Sequence, residues 1–160
     1  MNKEDMFAKT CCFTGHRKIP FGKVRVIAKR LDKTIEELIA QGYIYFGAGG
    51  ALGFDTLAEK AVLKAKNKHP EVKLILVLPC KTQADSWNHA DRQTYEEIKP
   101  LADKVVYISE EYTKSCMFER NRHLVDYSSV CVCYLIESSG GTAYTVNYAK
   151  QKGIRIINLA

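Results

Sequence analysis

Short apolar runs rich in β-branched residues alternate with longer segments of helical period along this chain, and that alternation restricts the possible folds more than any other feature. A run, a helix and a further run make a βαβ unit, and stacked units build a parallel sheet with helices on both faces. Six strands are expected, over residues 10–14, 43–46, 73–78, 104–108, 130–136 and 154–159. The third, with Leu74-Ile75-Leu76-Val77-Leu78, is apolar throughout, as a strand covered on both faces must be. Five helices are expected between them, over residues 24–41, 53–67, 87–101, 115–129 and 141–152. In the first of these Val24, Ile27, Leu31, Ile35 and Leu38 recur at helical spacing, and Gly42 follows as a stop. Residues 1–5 carry both charge signs and are read as leading straight into the first strand.

The expected architecture is α/β: a Rossmann-like three-layer α/β/α sandwich with a mostly parallel sheet of about six strands. At 160 residues the chain suits one domain, residues 1–160, able to build a core without disulfide or metal staples. With 46% hydrophobic and 26% charged residues the composition is globular and excludes a disordered chain. No uncharged apolar run approaches the roughly 18 to 20 residues that cross a bilayer, and no basic segment precedes a long apolar one, so neither membrane insertion nor secretion is expected. A cytoplasmic location follows. The six cysteines have no C-x-x-C pair and no histidine at zinc spacing; they read as small buried hydrophobes, and no metal is implied. The net charge of +6 admits nucleic acid as a partner. Its densest cluster, Lys60, Lys64, Lys66 and Lys68, has no interleaved aromatics for bases to stack on, which favours a solvated helix face. A homo-oligomer is compatible with everything above.

Open parallel sheets bind ligands outside the carboxyl ends of their strands, so the strand-to-helix loops carry the chemistry. Two of these are glycine-rich: Gly47-Ala48-Gly49-Gly50-Ala51-Leu52-Gly53-Phe54-Asp55 and Ser138-Ser139-Gly140-Gly141-Thr142. Glycine admits a ligand close to the backbone, and the free amides of a helix N-terminus favour an anion. Neither loop is a Walker A motif, because no Gly-Lys-Ser/Thr follows. Thr142 adds a hydroxyl that either caps the helix or meets a phosphate. The first strand ends in Thr14-Gly15-His16-Arg17, which places an imidazole and a guanidinium on the same rim, and Arg17 suits a phosphate. In Phe118-Glu119-Arg120-Asn121-Arg122-His123, Arg122 can pair with Asp126 at i, i+4, whereas Arg120, sharing a face with His123, has no such structural partner. Trp87, Asn88 and Asp91 can wall off a base or a sugar.

These loops resemble the SLOG superfamily, named for Smf/DNA-processing protein A and LOG proteins, and most of all its small bacterial YpsA-like branch. The shared segments are Thr14 to Arg17, Gly49 to Ala58, Arg120-Asn121-Arg122 and Ser139 to Thr142, in order over nearly the whole chain. The resemblance implies a Rossmann-like fold and a site for nucleotides or molecules derived from them. LOG-type phosphoribohydrolases use an arginine in Met-x-Glu-Arg-Lys, matched here by Arg120 as a candidate catalytic residue, and a glutamate three residues after the glycine-loop threonine. Here that position is Thr145, and a hydroxyl cannot replace the carboxylate. DNA-processing protein A resembles the chain at Gly49 to Ala58 and at Phe118-x-Arg120-Asn121-Arg122, which implies single-stranded DNA binding.

The expected function is therefore a binding module, with a regulatory role, for a phosphate-bearing ligand such as an ADP-ribose- or NAD-like molecule. No cofactor beyond a nucleotide-type ligand is implied. The expected contacts are Thr14, Gly15, His16, Arg17, Gly49, Gly50, Gly53, Asp55, Trp87, Arg120, Asn121, Gly140, Gly141 and Thr142. The alternatives are a nucleoside-monophosphate N-glycosidase, with Glu59, Glu119 or Glu137 supplying the missing carboxylate, and a single-stranded DNA-binding protein.

Overall fold

The computed structural model describes residues 2–160. Its six strands are β1 (Thr10–Gly15), β2 (Tyr45–Ala48), β3 (Lys73–Cys80), β4 (Lys104–Ser109), β5 (Val130–Tyr134) and β6 (Arg155–Asn158). They form one sheet in the order β4-β3-β2-β1-β5-β6, and every pairing is parallel. The helices are α1 (Lys3–Ala8), α2 (Val24–Ala40), α3 (Phe54–Lys68), α4 (His89–Ile98), α5 (Cys116–Asp126) and α6 (Gly141–Gln151). This is the Rossmann-like α/β fold expected from the alternation.

Strand alternation sorts the core into two layers. Cys11, Phe13, Phe46, Leu74, Leu76, Leu78, Val130 and Val132 face the side covered by α2, α3 and α4. Their neighbours Cys12, Val77, Cys131 and Cys133 face the opposite side, under α5 and α6. All six cysteines are buried and free, so the thiols pack as hydrophobes. The chain winds from β1 out to β4 on one side, then crosses back with α5 to place β5 against the other edge of β1. The winding direction reverses between β1 and β5, and the loops that leave these two strands must therefore splay apart.

Several boundaries differ from expectation, each for a local reason. Residues 3–8 do not lead straight into a strand but form α1, because the Asn2 side chain caps the helix by accepting from the Asp5 N–H at 2.9 Å and Glu4 and Asp5 suit its first turn. No α1 residue is buried, so no apolar period announced it. Helix α4 begins after Trp87, since Asn88 is its N-cap and accepts from the Asp91 N–H at 2.8 Å. Strand β5 stops at Tyr134, two residues early: the Leu135 amide donates to the Asn158 side chain instead of a β6 carbonyl, and the amides of Ile136 and Glu137 turn to His16. The lysines of α3 are in part neutralised: Lys64 pairs with Asp32 at 3.0 Å and Lys66 with Asp103 at 2.5 Å. No helix of the described residues is long and apolar enough to cross a membrane.

Candidate functional site

The glycine loop after β2 is closed by the chain itself. The Gly50 N–H donates to the Glu59 carboxylate at 3.1 Å, and the Ala51 N–H donates to Asp55 at 3.1 Å. Asp55 also accepts from the Gly49 amide. The carbonyls are taken as well: Gln83 Nε2 donates to Gly50 O at 3.1 Å, Thr56 Oγ1 to Ala51 O at 3.1 Å, and an Arg120 Nη to Gly49 O. Spacing explains the closure, because Asp55 and Glu59 lie one turn apart on α3 and reach back over its start. At that start Gly53 has φ +74°, and a Cβ there would collide with the Arg17 carbonyl, so only glycine lets the two loops touch.

Arg120 thus has a structural partner that its sequence context concealed. It is 5% exposed, its Nε donates to Asn121 Oδ1 at 2.7 Å, and it faces Asp55. Burial pushes the Asp55 carboxyl above the usual carboxylate range, against the pull of Arg120 and of the loop amides. Glu59 is pushed up further, by burial and then by the neighbouring Asp55. Burial likewise lowers Arg120, and Asp55 opposes that shift. The ion pair expected between Arg122 and Asp126 does not form, because both side chains reach across to α6. Arg122 donates to the Tyr144 hydroxyl at 3.1 Å, and Asp126 accepts from Tyr148 at 2.6 Å. His123 turns to the Tyr127 ring at 4.6 Å.

The second glycine loop is left open. Helix α6 starts at Gly141 with Gly140 as N-cap, and no side chain caps it. This end of the helix opens into a cleft of about 290 Å³ at the point where the winding reverses, lined by Thr14, Gly15, His16, Arg17, Asp55, Arg120, Asn121, Gly140, Gly141 and Thr142. Phe13, Ala51, Met117, Phe118, Leu124 and Ser139 complete its walls. His16 joins the two sides: its Nε2 accepts from the Ile136 N–H at 2.9 Å and the Glu137 N–H at 3.3 Å, which puts the ring proton on Nδ1. Gly49, Gly50, Gly53 and Trp87 do not line this cleft.

The site is assembled at the strand ends where a Rossmann-like sheet reverses, and the sequence itself matches a known family: the family model of YpsA SLOG proteins covers residues 11–156. The chain belongs to the YpsA SLOG family. A SPβ prophage-derived protein of Bacillus subtilis, YoqJ, is 33% identical over 135 residues, which are 76% of this chain and 79% of that one. A UPF0398 protein of Halalkalibacterium halodurans is 30% identical over 140 residues, 86% of this chain and 71% of its own. Among solved structures, DNA processing protein A of Streptococcus pneumoniae superposes with a TM-score of 0.66 at 19% identity, over 93% of this chain. The chain spans about half of that protein, 49% of its length. DNA processing protein A of Helicobacter pylori, solved to explain a single-stranded DNA binding mode, gives 0.64 at 18% identity over 96% of this chain and 66% of its own. At these identities the likeness is one of fold.

In this SLOG chain Glu59, Glu119 and Glu137 do not line the cleft. Thr145, at the position of the LOG glutamate, is 2% exposed and donates to Gly141 O at 2.8 Å, one turn back along α6. Glu59 is bonded to Gly50, Glu119 accepts from Ser115 Oγ at 2.9 Å, and Glu137 is not part of the cleft wall. Sequence reasoning missed the His16 clamp, the lining roles of Met117, Phe118 and Ser139, and the closure of the first loop. The i, i+4 spacing of Asp55 and Glu59 behind three glycines was the available signal for that closure.

Proposed function

We propose that the chain is a regulatory binding module for a phosphate-bearing, nucleotide-derived ligand of the ADP-ribose or NAD type, with the phosphate seated on the amides that open α6. The observation that carries this is Gly141. Its φ lies outside the left-handed region and a Cβ there would meet nothing within 4 Å, so the fold has no need of glycine at that position. A ligand approaching the backbone does need it. Arg17 stands across the cleft with no hydrogen-bonded partner for its guanidinium among the described residues, ready to meet the same charge. Calorimetric titration with AMP, NAD and ADP-ribose tests the proposal, with binding to at least one expected and its loss in Gly141→Asp. Failure of all three to bind, together with an indifferent Gly141→Asp, removes it.

Single-stranded DNA is the second reading, favoured by the net charge of +6 and by a fold shared with a protein whose structure concerns that binding. Such affinity would fall steeply with added salt as counterions are released. Binding that ignores salt, or none at low salt, rejects it. The geometry lends no such support to an N-glycosidase, because Asp55, the carboxylate on the cleft wall, already serves the Ala51 amide.

A further inference from the structure

The positive charge of the chain is not spread evenly over it. Residues 6–31 carry seven lysines and arginines and no acid, more than the whole net charge of +6, so the rest of the sequence is close to neutral. Two of these cations serve the protein itself: Arg17 lines the cleft, and Arg30 donates to Leu159 O at 2.7 Å. Lys18, Lys23, Arg25 and Lys29 are exposed and form no ion pair among the described residues, unlike Lys64 and Lys66 of α3. Their placement works against the helix they adjoin. Helix α2 has no acid in its first turn and no side-chain cap, and Lys23 and Arg25 put like charge on the positive end of its macrodipole.

Apolar side chains stand among these cations. The loop leaving β1 is anchored by Ile19, which packs on the core, and a 3-10 turn, Phe21–Lys23, carries it into α2 with the Lys23 N–H on Pro20 O at 2.8 Å. Phe21 stands on this turn and is 98% exposed, more than any other large hydrophobic among the described residues. A Cβ on Gly22 beside it would meet nothing within 4 Å, so the turn projects from the surface. Val24 and Val26 are exposed behind it, while Ile27 and Leu31 turn to the core. Val26 shares the outward face of α2 with Arg25 and Lys29. A ring as exposed as that of Phe21 packs against almost nothing in this chain, and its apolar surface is left for a partner to bury.

Shape and charge select among the partners. A second copy of the chain would set cations against cations. A single strand of nucleic acid is held in a basic groove with successive rings for its bases, whereas here one ring crowns a projection among aliphatic neighbours. A bilayer of anionic lipid matches both features: the ring and the valines enter at the level of the headgroups while the cations stay on the lipid phosphates. We propose that residues 18–29 form a peripheral docking surface for an anionic phospholipid membrane, with Phe21 as the inserted side chain. The surface is separate from the cleft, whose wall takes nothing from Lys18 to Lys29.

Sedimentation with vesicles tests this. At low salt the protein should go down with mixed phosphatidylglycerol and phosphatidylcholine vesicles and stay in solution with phosphatidylcholine alone, and added salt should release it. Phe21→Ser should weaken the partition about tenfold or more, the gain of burying one phenyl ring, and Arg25→Gln about fivefold, the share of one cation. Both side chains are exposed, so the Tm of neither variant should fall, and the loss is then one of contact and not of folding. Phe21→Trp should keep the binding and add an emission that moves to shorter wavelength with the anionic vesicles. No sedimentation at low salt, equal binding to the uncharged vesicles, or Phe21→Ser binding as well as the parent would overturn the proposal. So would an oligodeoxythymidine that binds and loses its affinity in Phe21→Ser while the vesicles are ignored, since the surface would then belong to nucleic acid.

Discussion

Replacing Arg120 with methionine separates a structural arginine from one held ready for substrate. The guanidinium is buried, bonded to Gly49 O and Asn121, and set against a buried Asp55 whose carboxyl it draws down. Methionine roughly fills the space but leaves Asp55 without its cation and the Gly49 carbonyl without its donor. Removing one partner of a buried charge pair costs about 3–5 kcal/mol. With a urea m value of about 2 kcal/mol/M, the unfolding midpoint should fall by roughly 1.5–2.5 M. The loss must also depend on pH. The folded-state pKa of Asp55 is raised already, and without Arg120 it rises further. A carboxyl raised on folding loses stability as pH climbs from its unfolded value through its folded one, so Arg120→Met should cost more at pH 8 than at pH 5. Asp55→Asn in the same chain should recover part of the loss, giving a double variant less unstable than the two single losses added. A cost below about 1 kcal/mol, equal at both pH values, would show that Arg120 is not part of the structural network.

Glu59→Gln keeps an acceptor for the Gly50 N–H while discarding a carboxyl whose pKa burial raises, so its stability relative to the parent should improve as pH rises from 5 to 8; urea titrations at the two pH values check this. Gly53→Ala must bear a left-handed φ and a clash with Arg17, and should lose about 2–4 kcal/mol, a fall of roughly 5–15 °C in Tm by calorimetry. Gly141→Ala should leave Tm unchanged or raise it slightly while weakening ADP-ribose; a destabilised variant would mean that the glycine serves the fold after all. His16→Ala removes the acceptor shared by two amides, so hydrogen exchange at Ile136 and Glu137 should quicken about five- to tenfold, with little change elsewhere.

The sheet was legible because its strands are nearly pure apolar runs, and two-sided burial leaves few other ways to write them: Val130 to Tyr134 are all buried, and so are Leu74 to Leu78 apart from the half-buried Ile75. Helix α1 was not legible, since it buries nothing and rests on one asparagine cap. Thr14 to Arg17 and Gly140 to Thr142, expected on one rim from their place after strand ends and from the family motifs, line one cleft. The bonds made by Arg120 and by the first glycine loop were hidden for a shared reason. Their partners are backbone groups and side chains brought together by folding, and no local pattern around Arg120 announces a carbonyl 71 residues away.

Set side by side, the two glycine loops solve the same electrostatic problem in opposite ways. Both present backbone N–H groups at the start of a helix, at the carboxyl edge of the sheet, where an anion is favoured. At Gly49 to Ala51 the chain supplies the acceptors itself, in the carboxyl groups of Asp55 and Glu59, and the loop in turn holds Arg120 at one wall of the cleft. At Gly141 no side chain caps the helix, Thr145 turns its hydroxyl back along α6, and the space beside the glycine is empty of protein atoms. Under the proposed function the second loop, uncapped and beside Arg17, is the one that takes a charge from outside. The bonds of the first loop fix that wall of the cleft in advance, and on this proposal an anion at the second loop meets groups already in place.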